Sequence, residues 1–157
     1  MRTTRVSGAG RRLILLAVLT ALLATVAAAN LTLIYLLFAV GQAGSNLAGF
    51  VPIMAIGAVP FLVTAGLLAW VIVSAGPSVS AGRVPRAVLG RLRIVSGCGL
   101  PLMILGGLWS GLAAALLGPD QGSAAGFALT LYQFTFLAAV FVDTVTLVTA
   151  LRTRPAS

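Results

Sequence analysis

LILLAVLTALLATVAAANLTLIYLLFAV, residues 13–40, holds no charged side chain in 28 positions. An α-helix rises about 1.5 Å per residue, so roughly 20 residues cross the ~30 Å hydrocarbon core of a bilayer, and this stretch does so with length to spare for tilt or protruding ends. Arg2, Arg5, Arg11 and Arg12 precede it. The Arg11-Arg12 pair, the apolar run and Ala27-Ala28-Ala29 before Asn30 also have the layout of a secretory signal peptide. Length decides between the two. A signal h-region is about 7–15 residues long, whereas here the apolar pattern fills Leu13 to Ala29 and continues through Leu31 to Val40. The segment is expected to remain as a membrane helix.

Working outward, three further apolar segments follow, at 47–75, 94–117 and 124–151. The turns at 41–46 and 118–123 are short enough for tight helical hairpins. The fold class expected is all-α, a single integral membrane four-helix bundle made of two hairpins. Pro52 falls in the first turns of the second segment, where a missing N–H matters little, and Pro60 is expected to kink it in mid-span. Tyr35, Phe38, Phe50 and Trp70 fit interfacial aromatic belts at the two faces.

Composition agrees with that reading. Hydrophobic residues make up 60% of the 157 and charged ones 8%, with a mean hydropathy of +1.13. A water-soluble globule carries about a quarter charged residues, so the apolar surface of this chain must face lipid. Histidine, lysine and glutamate are absent, which removes the usual general bases and the commonest metal ligand. Cys98 is the only cysteine and can form no intramolecular disulfide or thiolate cluster. Neither enzymatic activity nor a cofactor or metal is expected.

All ten basic residues are arginine, and they are unevenly placed. Four precede the first span, four (Arg83, Arg86, Arg91 and Arg93) lie in the loop at 76–93, two (Arg152 and Arg154) follow the last span, and the other two turns hold none. The positive-inside rule then puts both termini and the basic loop in the cytoplasm, in a cytoplasmic (inner) membrane. The net charge of +8 flanks apolar segments and forms no separate basic domain, so the expected partner is anionic lipid headgroup at the loop, not nucleic acid. Val84, Val88 and Leu92 recur at spacing four, so a short amphipathic helix beginning at Pro85 and lying on the lipid surface is one reading of the loop; a solvated topology signal is the other.

Within the spans, small residues recur at spacing four: Thr20, Ala24 and Ala28 in the first, Gly107, Gly111 and Ala115 in the third. Missing side chains let backbones approach, either inside the bundle or against a second copy or another membrane protein. Asp143 is the sharpest feature, an acid nine positions before Arg152 and hence inside the fourth span. Burial at mid-membrane costs about 2.5–3.5 kcal/mol on translocon scales, so it should face the bundle interior. At 100° per residue, Tyr132, Thr135, Ala139, Asp143, Thr146 and Ala150 share one stripe. Two readings follow: a proton or cation relay with Tyr132, Thr135 and Thr146 as its hydrogen-bonding shell, or a structural acid paired in a dry seam with an arginine or a hydroxyl. The second is expected. Asn30, Asn46 and Gln133 read as interhelical glue.

Ala28-Ala29-Asn30-Leu31 in the first span, Phe50-Val51-Pro52-Ile53 at the second, the basic loop and the short turn before the fourth span make the chain resemble four-helix membrane proteins of high-GC, actinobacterial-type bacteria grouped as a domain of unknown function. The resemblance implies the four-helix fold and brings no activity or functional residue. The function expected is that of a structural or interaction component of the membrane, with a small proton- or cation-coupled transporter or channel using Asp143 as the alternative.

Overall fold

A computed structural model describes residues 7–41, 56–80, 84–117 and 124–153, and all the regular structure among them is helical. Four long helices follow in order: α1 (Ser7–Gly41), α2 (Val59–Ser80), entered through a 3₁₀ turn at Ile56–Ala58, α3 (Arg86–Leu117) and α4 (Ala124–Arg152). Each contains a stretch long and apolar enough to cross a membrane, at Gly10–Leu37, Ile56–Ala75, Arg86–Leu112 and Gly126–Arg152. The protein is an all-α four-helix bundle of the multi-pass membrane type. α1 packs on α4 and α2, and α3 packs on α2 and α4, so α1 and α3 sit on one diagonal.

Helix direction follows from which residues meet. Leu13 and Ala17 at the start of α1 share one buried cluster with Val71 and Ala75 late in α2, Leu89 and Leu92 early in α3, and Ala150 at the end of α4. Ile34 and Tyr35, late in α1, share a second cluster with Phe61, Met103 and Ala128. Successive helices therefore run antiparallel, and every described arginine (Arg11, Arg12, Arg86, Arg91, Arg93 and Arg152) belongs to the same end of the bundle.

Two expectations about the middle of the chain are corrected. Among the described residues, Pro60 is not in the interior of a helix. It stands in the first turn of α2, where a proline's missing N–H belongs to a group with no intrahelical partner anyway, and the 3₁₀ turn at 56–58 leads into it. Pro52, Phe50 and Asn46 lie outside the described residues. The loop expected over 76–93 is also shorter. α2 continues to Ser80 and α3 begins at Arg86, so the amphipathic segment after Pro85 is the first part of α3 itself, not a separate surface helix. Val84, Val88 and Leu92 are buried because their four-residue spacing turns them into the bundle. Pro101 does lie inside a helix, α3, with its ring exposed on the outer side.

Lipid tails are as apolar as leucine, so packing geometry and polar contacts, not burial of apolar area, must hold these helices together. The seams are accordingly built from small residues: Ala17, Ala24, Ala27 and Ala28 of α1 and Ala139 and Ala150 of α4 are buried. Large side chains such as Leu22, Leu36, Val73, Leu108 and Phe134 point outward. Between α2 and α3 the approach is closer still. A Cβ on Gly106 would stand 2.8 Å from the Gly57 carbonyl oxygen and 3.0 Å from the Phe61 ring, and one on Gly99 would stand 2.6 Å from Thr64. A Cβ on Gly107 would run into the Phe136 ring of α4, whereas at Gly111 it would meet nothing within 4 Å. Of the GxxxG pair, one glycine touches a neighbouring helix and the other faces outward.

Candidate functional site

Hydroxyls in an apolar medium must find an acceptor, and threonine on a helix has one at hand in the carbonyl four residues back. Thr20, Thr25, Thr32, Thr64, Thr144, Thr146 and Thr149 all donate to that carbonyl, at 2.7–3.0 Å. These side chains satisfy themselves and add interhelical contacts at little cost. Thr20 and Thr146 do so across the α1–α4 seam, Oγ1 to Oγ1 at 3.2 Å. Asn30 donates its Nδ2 to Thr135 Oγ1 at 3.5 Å on the same pair of helices.

Buried polar residues separate the two clusters on α1, α3 and α4, and on α2 one lies at the edge of the second cluster. Thr20 lies between Ala17 and Ala24, Thr64 beside Ala65, Ser96 after Val95, and Asp143 with Thr146 between Ala139 and Ala150. All five are buried, and Asp143 is 0% exposed. Three of the five, Thr20, Thr64 and Thr146, have a simple role, since a threonine hydroxyl can close a seam and still bond its own helix. Asp143 cannot. Neither carboxyl oxygen has a hydrogen-bond partner among the described residues, and neither does Ser96 Oγ, which stands against it from α3. The arginine partner considered for Asp143 is committed elsewhere. Arg93 donates Nε to Ala150 O at 2.9 Å and Nη2 to Thr153 O at 3.1 Å and Leu151 O at 3.5 Å, so it caps carbonyls that the end of α4 leaves without a helical partner.

The stripe expected along α4 therefore divides. Thr146 is one turn from Asp143 and joins Thr20, while Thr135 joins Asn30. Tyr132 lies eleven residues before Asp143, roughly 16 Å at the helical rise, inside a different constellation. Its ring stacks on Phe136 at 6.1 Å and meets Phe61 edge-on at 6.2 Å, and Phe61 meets Phe136 edge-on at 6.0 Å. Such offset and edge-on pairs suit the ring quadrupoles. The Tyr35 and Tyr132 hydroxyls both approach Ser110, whose own proton goes to Gly106 O at 2.7 Å, and neither phenol reaches hydrogen-bonding geometry. Gln133 is exposed.

The basic residues differ in their surroundings. Arg86 is exposed and Arg83 lies outside the described residues. Arg91 places its guanidinium carbon 4.9 Å from the centroid of the exposed Trp70 ring and reaches Ser74 Oγ at 3.5 Å. Arg93 is half-buried on the end of α4 and is not free to face lipid as expected. Among the described residues no group of three or more His, Cys, Asp or Glu side chains comes together to hold a metal. An open groove of about 490 Å³ between α1 and α2 is lined by Val18, Leu22, Leu62, Ile72 and Val73, with Thr25 already bonded to Ala21 O. That lining suits an apolar chain.

Ser96 is the residue that reasoning along one helix passes over. It shares no periodic pattern with Asp143, because it belongs to the facing helix. Gly57 and Gly106 are missed for the same reason: a glycine pair is recognisable by spacing only when both lie on one helix. Comparison with protein-family models, with curated proteins and with solved structures returns no match. The functional reading therefore rests on the residues themselves.

Proposed function

We propose that this protein is a non-enzymatic structural or interaction component of the cytoplasmic membrane, with both termini on the cytoplasmic side and of the four-helix kind it resembles in high-GC bacteria. One observation carries the interaction role. Phe127, Phe134 and Phe141 recur every seven residues on α4 and are 71%, 69% and 69% exposed, with Leu137 and Val148 exposed on the same outer face. A seven-residue spacing keeps side chains in register with a second helix crossing at a shallow angle, and large aromatic rings offer that helix a ridge to pack on. The surface fits a second copy of this chain or one helix of another membrane protein. Subunit counting by native mass spectrometry from mild detergent tests it: Phe134→Ala with Phe141→Ala should shift an oligomer to monomer or release a co-purifying partner. A wild-type protein that is monomeric and alone overturns the reading.

The orientation is supported by the collection of all described arginines at one end. The same end suits anionic headgroups, through the exposed Arg11, Arg12, Arg86 and Arg152. Reporter fusions at Gly44, Gly82, Gly122 and Ser157 should read outside, inside, outside, inside. An outside reading at Gly82 contradicts it.

A second reading, a small proton- or cation-coupled transporter or channel, is favoured by one specific observation: the carboxyl of Asp143 is fully buried and without a hydrogen-bond partner. Intramembrane acids that are merely structural are held by donors. Flux across proteoliposomes under a pH or cation gradient tests it.

A further inference from the structure

An ionised carboxylate with no exposure and no more than a neighbouring hydroxyl is among the most expensive groups a membrane interior can hold, and it persists only beside a positive charge. The protein supplies none at this place among the described residues. On α3, the nearest charge in sequence to Ser96 is Arg93, which is bonded to two α4 carbonyls and to that of Thr153 just past its end. On α1, Thr20 is the residue at this level, and Arg11 and Arg12 lie exposed two turns and more away. α2 contains no titratable side chain from Val59 to Ser80, and Cys98 on α3 is exposed. On α4 itself, Tyr132 and Arg152 lie eleven residues before Asp143 and nine after it. Among the described residues, then, nothing supplies the missing charge.

We propose that Asp143 and Ser96 form a binding site for one small monovalent cation, a proton or an alkali ion, between α3 and α4. The carboxylate supplies the charge. Ser96 Oγ, the other unpartnered polar atom at this place, supplies a second oxygen from the facing helix. The Thr20–Thr146 contact on one side and the Gly99–Thr64 contact on the other hold α1 and α2 tightly against the site. That packing leaves the site lined by side chains of all four helices and suits a small occupant. The proposal rests on the transport reading's choice of Asp143, and occupancy is read apart from flux.

The chain has two aspartates and no glutamate, which makes the site unusually easy to observe. In Asp120→Asn, Asp143 is the only carboxyl side chain left. Protein carrying this change and grown on carboxyl-labelled ¹³C-aspartate, reconstituted in lipid, is examined by infrared difference spectroscopy. One step raises the pH, and another replaces choline by sodium at constant pH. An isotope-shifted carboxylic-acid band that is lost on raising the pH, with carboxylate bands appearing, identifies a proton as the occupant. The same exchange driven by sodium identifies an alkali ion. Ser96→Ala, which keeps the carboxyl, should displace the Asp143 band in either case. An Asp143 signal that answers neither step overturns the proposal. A responsive signal without any flux removes the transport reading and leaves the site standing, whereas flux without a response does the reverse.

Discussion

Two charged side chains on facing helices of this bundle meet the membrane in opposite ways. Arg93, near the start of α3, finds the last turn of α4, where helix geometry leaves carbonyls without donors, and bonds two of them along with the Thr153 carbonyl that follows. Asp143, one to two turns further into the same interface, finds no charged partner among the described residues, only the Ser96 hydroxyl beside it. A helix end is a ready-made partner for a cation, because its carbonyls and the macrodipole both favour positive charge. The middle of a helix offers an anion nothing, since its N–H groups are already bonded. Among the described residues, Arg93 at the edge of the bundle is thus satisfied by the chain and Asp143 in the middle is not.

That contrast can be sharpened by substitution, starting with the steric frame that holds both places together. Gly106→Leu forces a branched side chain against the Gly57 carbonyl and the Phe61 ring. It should cost at least about 3 kcal/mol, at or above the upper end of ordinary overpacking, and be visible as a lost folded baseline in a detergent unfolding titration. Gly111→Leu, over open space, should unfold like the parent. Arg93→Met keeps the stem and removes the donors, and should cost about 1–2 kcal/mol in the same titration. An equal loss in Arg86→Met, at an exposed site, would mean that charge alone matters. Thr20→Val removes the hydroxyl that meets Thr146 while its helical carbonyl stays bonded, so about 0.5 kcal/mol is expected. Trp70→Leu at the Arg91 contact should be the smallest, about 0.5 kcal/mol or less at so exposed a position.

Much of the frame was legible in the sequence, for a physical reason: a bilayer core tolerates only long uncharged helices, so the stretches 13–40 and 124–151 could scarcely be anything but α1 and α4. Its punctuation was harder to read. Pro60 sits in an apolar run with no polar signal to mark a helix start, and the 3₁₀ turn before it leaves no compositional trace. Arg86, Arg91 and Arg93 read as loop because they are charged, yet the four-residue spacing of Val84, Val88 and Leu92 was already helical. For the site, burial of Asp143 followed from its cost in lipid. Its surroundings did not, since periodicity orders residues along one helix and says nothing of which residue the facing helix brings up. Tyr132 shares a stripe with Asp143 and lies in another layer, whereas Ser96 shares no stripe and lies beside it.

Arg93 and Asp143 are not each other's counter-charge. A double-mutant cycle on folding stability tests it directly, using Arg93→Met, Asp143→Asn and the pair. Residues without shared partners add to within about 0.3–0.5 kcal/mol, whereas a buried ion pair broken from either side shows strong coupling. Additivity is expected, with Arg93→Met destabilising by the same amount in either background and Asp143→Asn no less stable than the parent. A coupling energy above about 1 kcal/mol, with Asp143→Asn destabilising only while Arg93 is present, would contradict it.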